Sequence, residues 1–160
     1  MHQEKKFVRL IKENEGIIYK ITRIYTNNEA DQKDLYQEVV YQLWKSFKDF
    51  RGEAKVSTWM YRITLNTALF HSKQSKKNGH RVGLEKIVLK QENYDAIYEE
   101  RLAIMYRHIK MLTDIEKGII LLFLEGKKYE EIAEITGFTT TNVGTRIGRI
   151  KQKLKETIKK

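Results

Sequence analysis

The segment that most constrains the fold spans residues 129–154 and reads YEEIAEITGFTTTNVGTRIGRIKQKL. Its first part has an apolar face at helical spacing, and its second part is a basic helix with a Thr-rich start. Gly137 and Phe138 lie between the two helices, where Gly supplies the backbone freedom of a tight turn and Phe can fill the angle. This pattern predicts a helix-turn-helix, a motif whose second helix enters the major groove of DNA.

The composition indicates a basic, globular protein built from helices. The chain has 160 residues, a formal net charge of +10 and 41% apolar residues, and it contains no Pro. Because Pro is the strongest helix breaker, its absence favours an all-α fold. The excess of positive charge favours a polyanionic partner, with nucleic acid ahead of an anionic membrane.

Three further features bear on the compartment. The chain has no Cys, which excludes disulfides and thiolate metal sites and is consistent with a reducing cytoplasm. Its longest apolar run, at residues 119–124, is far shorter than the roughly 20 residues of a membrane span. The first residues, MHQEKKFVRL, lack the apolar core of a signal peptide. We therefore expect a cytoplasmic protein without membrane insertion.

Helical periodicity predicts a first small domain at residues 1–77, with three helices. These helices cover about 4–26, 29–47 and 58–76. Asn28 is placed to cap the second helix, and Ser57 or Thr58 the third.

A linker and a second small domain follow. Residues 78–96 show no sustained periodicity and are interpreted as the linker, and residues 97–160 form the second domain. Four helices are predicted in it: one that ends before Thr113, one over 114–125, and the two of the helix-turn-helix. Thr113 and Glu116 have the spacing of a capping box at the start of the second of these.

The start of the recognition helix carries side chains suited to DNA. The hydroxyls of Thr140 and Thr141, with the backbone N–H groups of a helix N-terminus, suit a phosphate. Asn142 has the side chain that reads an adenine edge, and Arg146 or Arg149 has one that reads guanine or binds a phosphate. The alternative interpretation is a solvated basic face on an ordinary terminal helix. The predicted turn at Gly137 and Phe138, directly between the two helices, weighs against that alternative.

The sequence does not decide the role of two glycines in the same helix. Gly144 and Gly148 each cost the helix about 1 kcal/mol relative to Ala. They either permit close approach of the backbone to DNA or are simply tolerated.

Residues 50–77 combine aromatic and cationic side chains. Aromatic faces stack unpaired bases and cations follow the phosphate backbone, which is how single strands are held. The alternative is a hydrophobic core, because Trp59, Ile63 and Phe70 lie at helical spacing. For Trp59 the core is the favoured interpretation.

A third group is the polar helix face of Asp34, Gln37 and Glu38. Its carboxylates have no partner base, metal cluster or phosphate loop in the sequence, so we expect no catalysis and no enzyme activity. The four His have no ligand spacing, and no metal site is expected. The face is either solvated or a protein-docking surface.

Together these segments resemble the extracytoplasmic-function (ECF) sigma factors of bacterial RNA polymerase. The first domain contains that family's D-L-x-Q-E-V core from Asp34 to Val39 and its T-W-x-Y-R-I-x-x-N run from Thr58 to Asn66. The second domain, LTDIEKGIILLFLEGKKYEEIAEITGFTTTNVGTRIGRIKQKL, is similar to the family's region 4. The order and spacing of the two halves match the family, although Gly144 and Ile150 depart from its usual residues.

The resemblance implies a role for each surface. The face that would dock on the clamp coiled coil of the polymerase consists of Asp34, Gln37 and Glu38. The side chains that would take the melted downstream promoter element are Phe50, Arg51, Lys55, Trp59, Tyr61 and Arg62. Those that would read the upstream element as duplex are Thr140, Thr141, Asn142, Thr145, Arg146 and Arg149. The resemblance further implies no cofactor, an anti-sigma factor as a partner, and a monomer when free.

Two other functions compete with this one. A stand-alone helix-turn-helix regulator would bind duplex DNA as a dimer, whereas a sigma factor would bind promoter DNA weakly without polymerase. A nucleic-acid-processing enzyme using the carboxylates of residues 31–38 would show metal-dependent cleavage.

Overall fold

The computed structural model describes residues 2–50, 52, 55–77 and 96–158, and the regular secondary structure of these residues is α-helical throughout. In chain order the helices are α1 (His2–Glu13), α2 (Glu15–Tyr25), α3 (Glu29–Phe47), α4 (Val56–Lys77), α5 (Ala96–Lys110), α6 (Asp114–Leu124), α7 (Tyr129–Thr136) and α8 (Thr140–Ile158). Among these helices, none combines the length and the apolar character needed to cross a membrane.

The chain divides into two compact units, Met1–Glu85 and Lys86–Lys160. Helices α1–α4 belong to the first unit and α5–α8 to the second. The predicted all-α fold with two small helical domains is therefore confirmed. The predicted linker, apart from Ala96, lies outside the described residues, so the predicted domain boundaries stay predictions.

The first unit contains four helices in its described part, and the prediction of three was wrong. The single helix expected over 4–26 is broken at Asn14, whose φ of −124° and ψ of 18° are not helical. The Asn14 side chain donates a hydrogen bond from Nδ2 to the Leu10 carbonyl at 2.9 Å, which competes with the helical backbone pattern. After the break, α2 packs on both α3 and α4, whereas α1 packs on α3.

The core of the first unit lies between α2, α3 and α4. Helix α2 contributes Ile18, Ile21 and Ile24, which are almost completely buried. Helix α3 begins as predicted, because Asn28 Oδ1 accepts from the Asp31 backbone N–H at 2.7 Å. Helix α4 begins before the predicted caps: Val56 is its first residue, and Thr58 is buried inside the helix.

Aromatic rings form a cluster at one end of this unit. The Phe7 ring of α1 lies 5.0 Å from Trp44 and 5.4 Å from Phe47 of α3. The Trp59 ring of α4 lies 6.3 Å from Phe47 and 4.8 Å from Phe50, measured between ring centroids. The cluster thus attaches α1 to the core and covers Trp59.

In the second unit, local signals set the helix ends as predicted. The capping box at α6 is complete: Thr113 Oγ1 accepts from the Glu116 N–H at 3.3 Å, and Glu116 Oε1 accepts from the Thr113 N–H at 3.0 Å. Helix α6 buries Ile119 and Leu122, and α8 packs beside it through Ile147 and Ile150.

Candidate nucleic-acid interface

Helices α7 and α8 form the predicted helix-turn-helix. Gly137 ends α7 with a φ of 85°, a left-handed conformation that favours Gly, and its N–H donates to the Ala133 carbonyl at 2.8 Å. Thr139 then starts α8, because its Oγ1 accepts from the Asn142 N–H at 3.1 Å. Val143 of α8 and Ile132 of α7 are fully buried at the junction.

The opposite face of α8 presents the predicted DNA-binding side chains to solvent. Five of them are exposed and Arg146 is half-buried: the exposed ones are Thr140, Thr141, Asn142, Thr145 and Arg149. Asn142, Thr145, Arg146 and Arg149 recur at three- and four-residue steps and therefore share one side of the helix. The buried Val143, Ile147 and Ile150 lie on the other side. The structure thus brings these predicted residues together on one surface.

Arg146 is held in place by two neighbours. Its Nε donates to Asn142 Oδ1 at 2.7 Å. Its guanidinium carbon lies 4.3 Å from the centroid of the Phe138 ring, within the range of a cation–π contact. Sequence reasoning treated Phe138 only as the filling of the turn and missed this second contact.

A salt bridge joins the far end of α8 to α6. Lys153 Nζ lies 2.7 Å from Glu116 Oε2, and the Glu116 side chain is largely buried. Burial alone would raise the pKa of Glu116, but hydrogen bonds from Lys153 and from Thr113 outweigh it, so the pKa is lowered from its ordinary value. The pair therefore helps fix α8 against the rest of the second unit in its ionised form.

Two of the residues predicted to bind melted promoter lie in the core. Trp59 is 9% exposed and Tyr61 is 3% exposed, so neither presents a ring face to solvent. Phe50 covers Trp59 and is itself half-buried, and Lys55 is exposed. Arg51, the remaining loop residue of this group, lies outside the described residues.

Phe70 of α4 lies on the surface, so the core interpretation holds for Trp59 but not for Phe70. Its side chain is 65% exposed. The residues one turn before and after it, Asn66 and Lys73, are also exposed. We call Arg62, Asn66, Phe70 and Lys73 the α4 strip, because their spacing places them on one side of the helix. Helix α4 contains no acidic residue, which is the signal in the sequence that could have indicated this surface.

Asp34, Gln37 and Glu38 form an exposed face on α3. All three side chains are exposed, while their neighbours Leu35 and Val39 are fully buried. Tyr41, 54% exposed, follows one turn later on the same side and was not predicted to take part. The spacing that points Leu35 and Val39 inward thus points the polar residues outward.

Within the described ranges, no three side chains of the metal-ligating types are grouped closely enough to hold a metal ion.

Comparison with known proteins identifies the family. Sigma-70 region 2 matches residues 10–77, and Sigma-70 region 4 matches residues 102–154. The ECF RNA polymerase sigma-E factor of Haemophilus influenzae is 32% identical over 154 residues, covering 86% of this chain and 79% of the relative. The RNA polymerase sigma factor SigV of Bacillus subtilis is 30% identical over 148 residues, covering 89% of this chain and 84% of the relative. The chain belongs to the ECF sigma factors.

Two solved structures share the fold of this sigma factor. One is CnrH in complex with the cytosolic domain of CnrY, with a TM-score of 0.72 at 20% identity, covering 98% of this chain and 89% of that chain. The other is the sigma factor RpoE of Bartonella quintana in complex with the anti-sigma factor NepR, with a TM-score of 0.72 at 18% identity, covering 98% and 96%.

Membership decides between the competing functions. A sigma factor binds core RNA polymerase and directs promoter-specific initiation of transcription, and this chain has both sigma regions in the family's order. A dimeric stand-alone regulator does not account for the region 2 match. The region 2 match contains the α3 face and the α4 strip, and the region 4 match contains the helix-turn-helix.

Proposed function

We propose that this sigma factor works through three separate surfaces: the α3 face docks on core polymerase, the α4 strip and the preceding loop hold melted promoter, and α8 reads duplex. The proposal rests on the outward face of α8. On that face, next to the turn of the helix-turn-helix, lie Asn142, Thr145, Arg146 and Arg149. In promoter terms, α8 reads the −35 element and the first unit takes the −10 element as single strand.

The α3 face suits a protein partner. Asp34 and Glu38 contribute negative charge and Gln37 contributes an amide, while exposed Tyr41 adds an aromatic surface of the kind enriched at interfaces. A chain of net charge +10 has few acidic surfaces, so this face is suited to a basic docking site. Its partner is the clamp coiled coil of the largest polymerase subunit.

The melted strand runs from the loop at residues 50–55 along the α4 strip. Phe70 lies about 22 Å further along the helix axis from the loop, at 1.5 Å per residue, which is the length of a few nucleotides of extended strand. Its exposed ring offers a stacking surface for an unpaired base, and Arg62 and Lys73 supply positive charge for the backbone. Trp59 and Tyr61, being buried, act by supporting Phe50 and the start of α4.

The remaining properties follow from this role. The sigma factor acts in the cytoplasm, because its polymerase partner is there, and it performs no chemistry of its own. It needs no cofactor. An anti-sigma factor restrains it, as the two structural neighbours are each bound to such a protein or to a cytosolic domain. The free protein is a monomer.

Run-off transcription with purified core polymerase tests the proposal. We expect discrete transcripts from genomic promoter DNA only when this protein is added. The double substitution Asp34→Lys with Glu38→Lys should abolish binding to core polymerase and transcription. The matched control, Glu4→Lys with Glu13→Lys on exposed positions of α1, makes the same charge change and should leave both intact. Polymerase binding retained by the α3 variant, or lost equally by the control, would refute the assignment of the docking face.

A further inference from the structure

We propose that Arg146 reads a guanine of the upstream promoter element, and that Phe138 and Asn142 are positioning residues that hold its guanidinium for this contact. The inference rests on the proposed function, in which α8 enters the major groove of that element. The sequence left guanine and phosphate as alternatives for Arg146, and the inference selects guanine. It also gives Asn142, first interpreted as a reader of adenine, the role of positioning Arg146.

The contacts of Arg146 leave the right atoms available. Asn142 Oδ1 accepts from Nε at 2.7 Å, and the guanidinium carbon lies over the Phe138 ring at 4.3 Å from its centroid. Neither contact uses the two terminal nitrogens of the guanidinium. A bidentate contact with O6 and N7 of guanine needs two parallel N–H donors, and the terminal nitrogens provide them.

The fixed orientation of Arg146 favours a base over a phosphate. A phosphate contact depends mainly on charge and tolerates a mobile side chain, whereas a bidentate base contact needs a defined plane. The Nε hydrogen bond and the Phe138 contact together restrict that plane before DNA arrives, so less freedom is lost on binding. Arg149, one turn later, is exposed, which suits a phosphate.

Asn142 is thereby assigned the role of positioning Arg146. Reading adenine requires the Asn amide to accept from N6 and donate to N7 at once. Because Oδ1 of Asn142 already accepts from Arg146 Nε, the amide is oriented by the arginine. The interaction is the helical i, i+4 pairing that favours such contacts.

The test is transcription by the holoenzyme from a promoter library in which the upstream element is randomised, with transcripts sequenced. We expect the intact protein to prefer guanine at one position by about 5- to 150-fold, the range of a good bidentate contact. Arg146→Ala removes both donors and should abolish that preference. Phe138→Leu keeps the apolar filling of the turn but removes the ring face, and should weaken the preference several-fold. Phe138→Tyr should restore it.

Arg149→Lys and Arg149→Ala are the matched controls. Both should keep the guanine preference, and Arg149→Ala should reduce output from all library members alike. Arg149→Ala should also lower the slope of log affinity against log salt by about 1, as loss of a phosphate contact does. A merely structural role of Phe138 would change the melting temperature without changing base preference, so both are measured for each variant. Asn142→Ala provides a second positioning variant if Phe138→Leu fails to fold.

The outcomes separate the two proposals. A guanine preference that survives in Arg146→Ala, or that disappears in Arg149→Ala, would overturn the assignment of Arg146 and leave the helix-turn-helix as reader. An intact protein without base preference anywhere in the upstream element would overturn both.

Discussion

The substitution Gly148→Ala should stabilise the second unit of this sigma factor. Gly148 lies inside α8, and a Cβ added there would meet no atom within 4 Å. The gain in helix propensity is therefore not offset by a clash, and it amounts to about 0.8–1.0 kcal/mol. For a domain of this size, such a change raises the melting temperature by roughly 4–8 °C.

The two tryptophans make the measurement specific to one unit. Trp44 and Trp59 are the only tryptophans of the chain and both lie in the first unit. Melting followed by Trp fluorescence should therefore be unchanged in Gly148→Ala, while the far-UV circular dichroism of the full chain should show a later transition for the second unit. Both signals are recorded on the same full-length sample.

Two other glycines serve as matched controls. A Cβ at Gly144 would lie 3.4 Å from Cε2 of Tyr129, an ordinary contact, so Gly144→Ala should also stabilise. Gly137 has a φ of 85°, so Gly137→Ala should destabilise by about 1–2 kcal/mol. If Gly148→Ala lowered the stability of the second unit, or matched Gly137→Ala, the reasoning from open space and helix propensity would be refuted.

The Gly148→Ala variant also decides whether this glycine is merely tolerated or serves DNA binding. Promoter affinity of the holoenzyme is measured beside stability. Stabilisation with unchanged affinity would show that the glycine is tolerated. Stabilisation with weaker affinity would show that the missing side chain lets the α8 backbone approach DNA.

Three further predictions concern single contacts. Lys153→Met should cost about 0.2–1 kcal/mol near neutral pH, since the Lys153 side chain is 54% exposed. Because the folded pKa of Glu116 is lowered, this cost should be full above the ordinary Glu pKa of about 4.3 and vanish as pH falls through the lowered value. A pH-independent difference in thermal melting would contradict this prediction. Thr113→Ala removes the capping box of α6 and should cost about 0.5–2 kcal/mol in urea denaturation, whereas Thr157→Ala, at an exposed helix end, should cost much less. Phe70→Leu should weaken binding of single-stranded downstream-element DNA to the holoenzyme by about 1–3 kcal/mol while Phe70→Tyr does not, and equal binding by both variants would exclude stacking.

Local signals were the part of the fold that could be predicted from the sequence. The cap at Asn28, the capping box at Thr113 and the turn at Gly137 depend on residues within a few positions of one another, and the structure contains all three. The break at Asn14 was missed because the apolar spacing continues on both sides of it. In the structure α1 packs by Phe7 on α3 while α2 packs on α4 as well, and the sequence of the segment alone does not contain these contacts.

The surfaces of α4 show why periodicity does not locate a functional residue. Trp59 and Phe70 lie at compatible helical spacing, yet one is 9% exposed and the other 65%. The difference arises because Phe50 and Phe47 cover the beginning of α4, while no such cover lies over Phe70. Burial of a helix position depends on elements distant in sequence, so an aromatic residue is assigned to core or surface only once those elements are placed.

The arrangement around Arg146 shows how stability and base reading are linked at one turn. Asn142 and Arg146 would be neighbours on any helix because they are four residues apart. That spacing alone does not place an aromatic ring under the guanidinium. The ring is there because Gly137 reverses the chain in a left-handed conformation and thereby sets Phe138 against the start of α8. A substitution at Gly137 should therefore reduce base discrimination along with stability, whereas a substitution at Gly148, away from this contact, should change stability without changing which base is preferred.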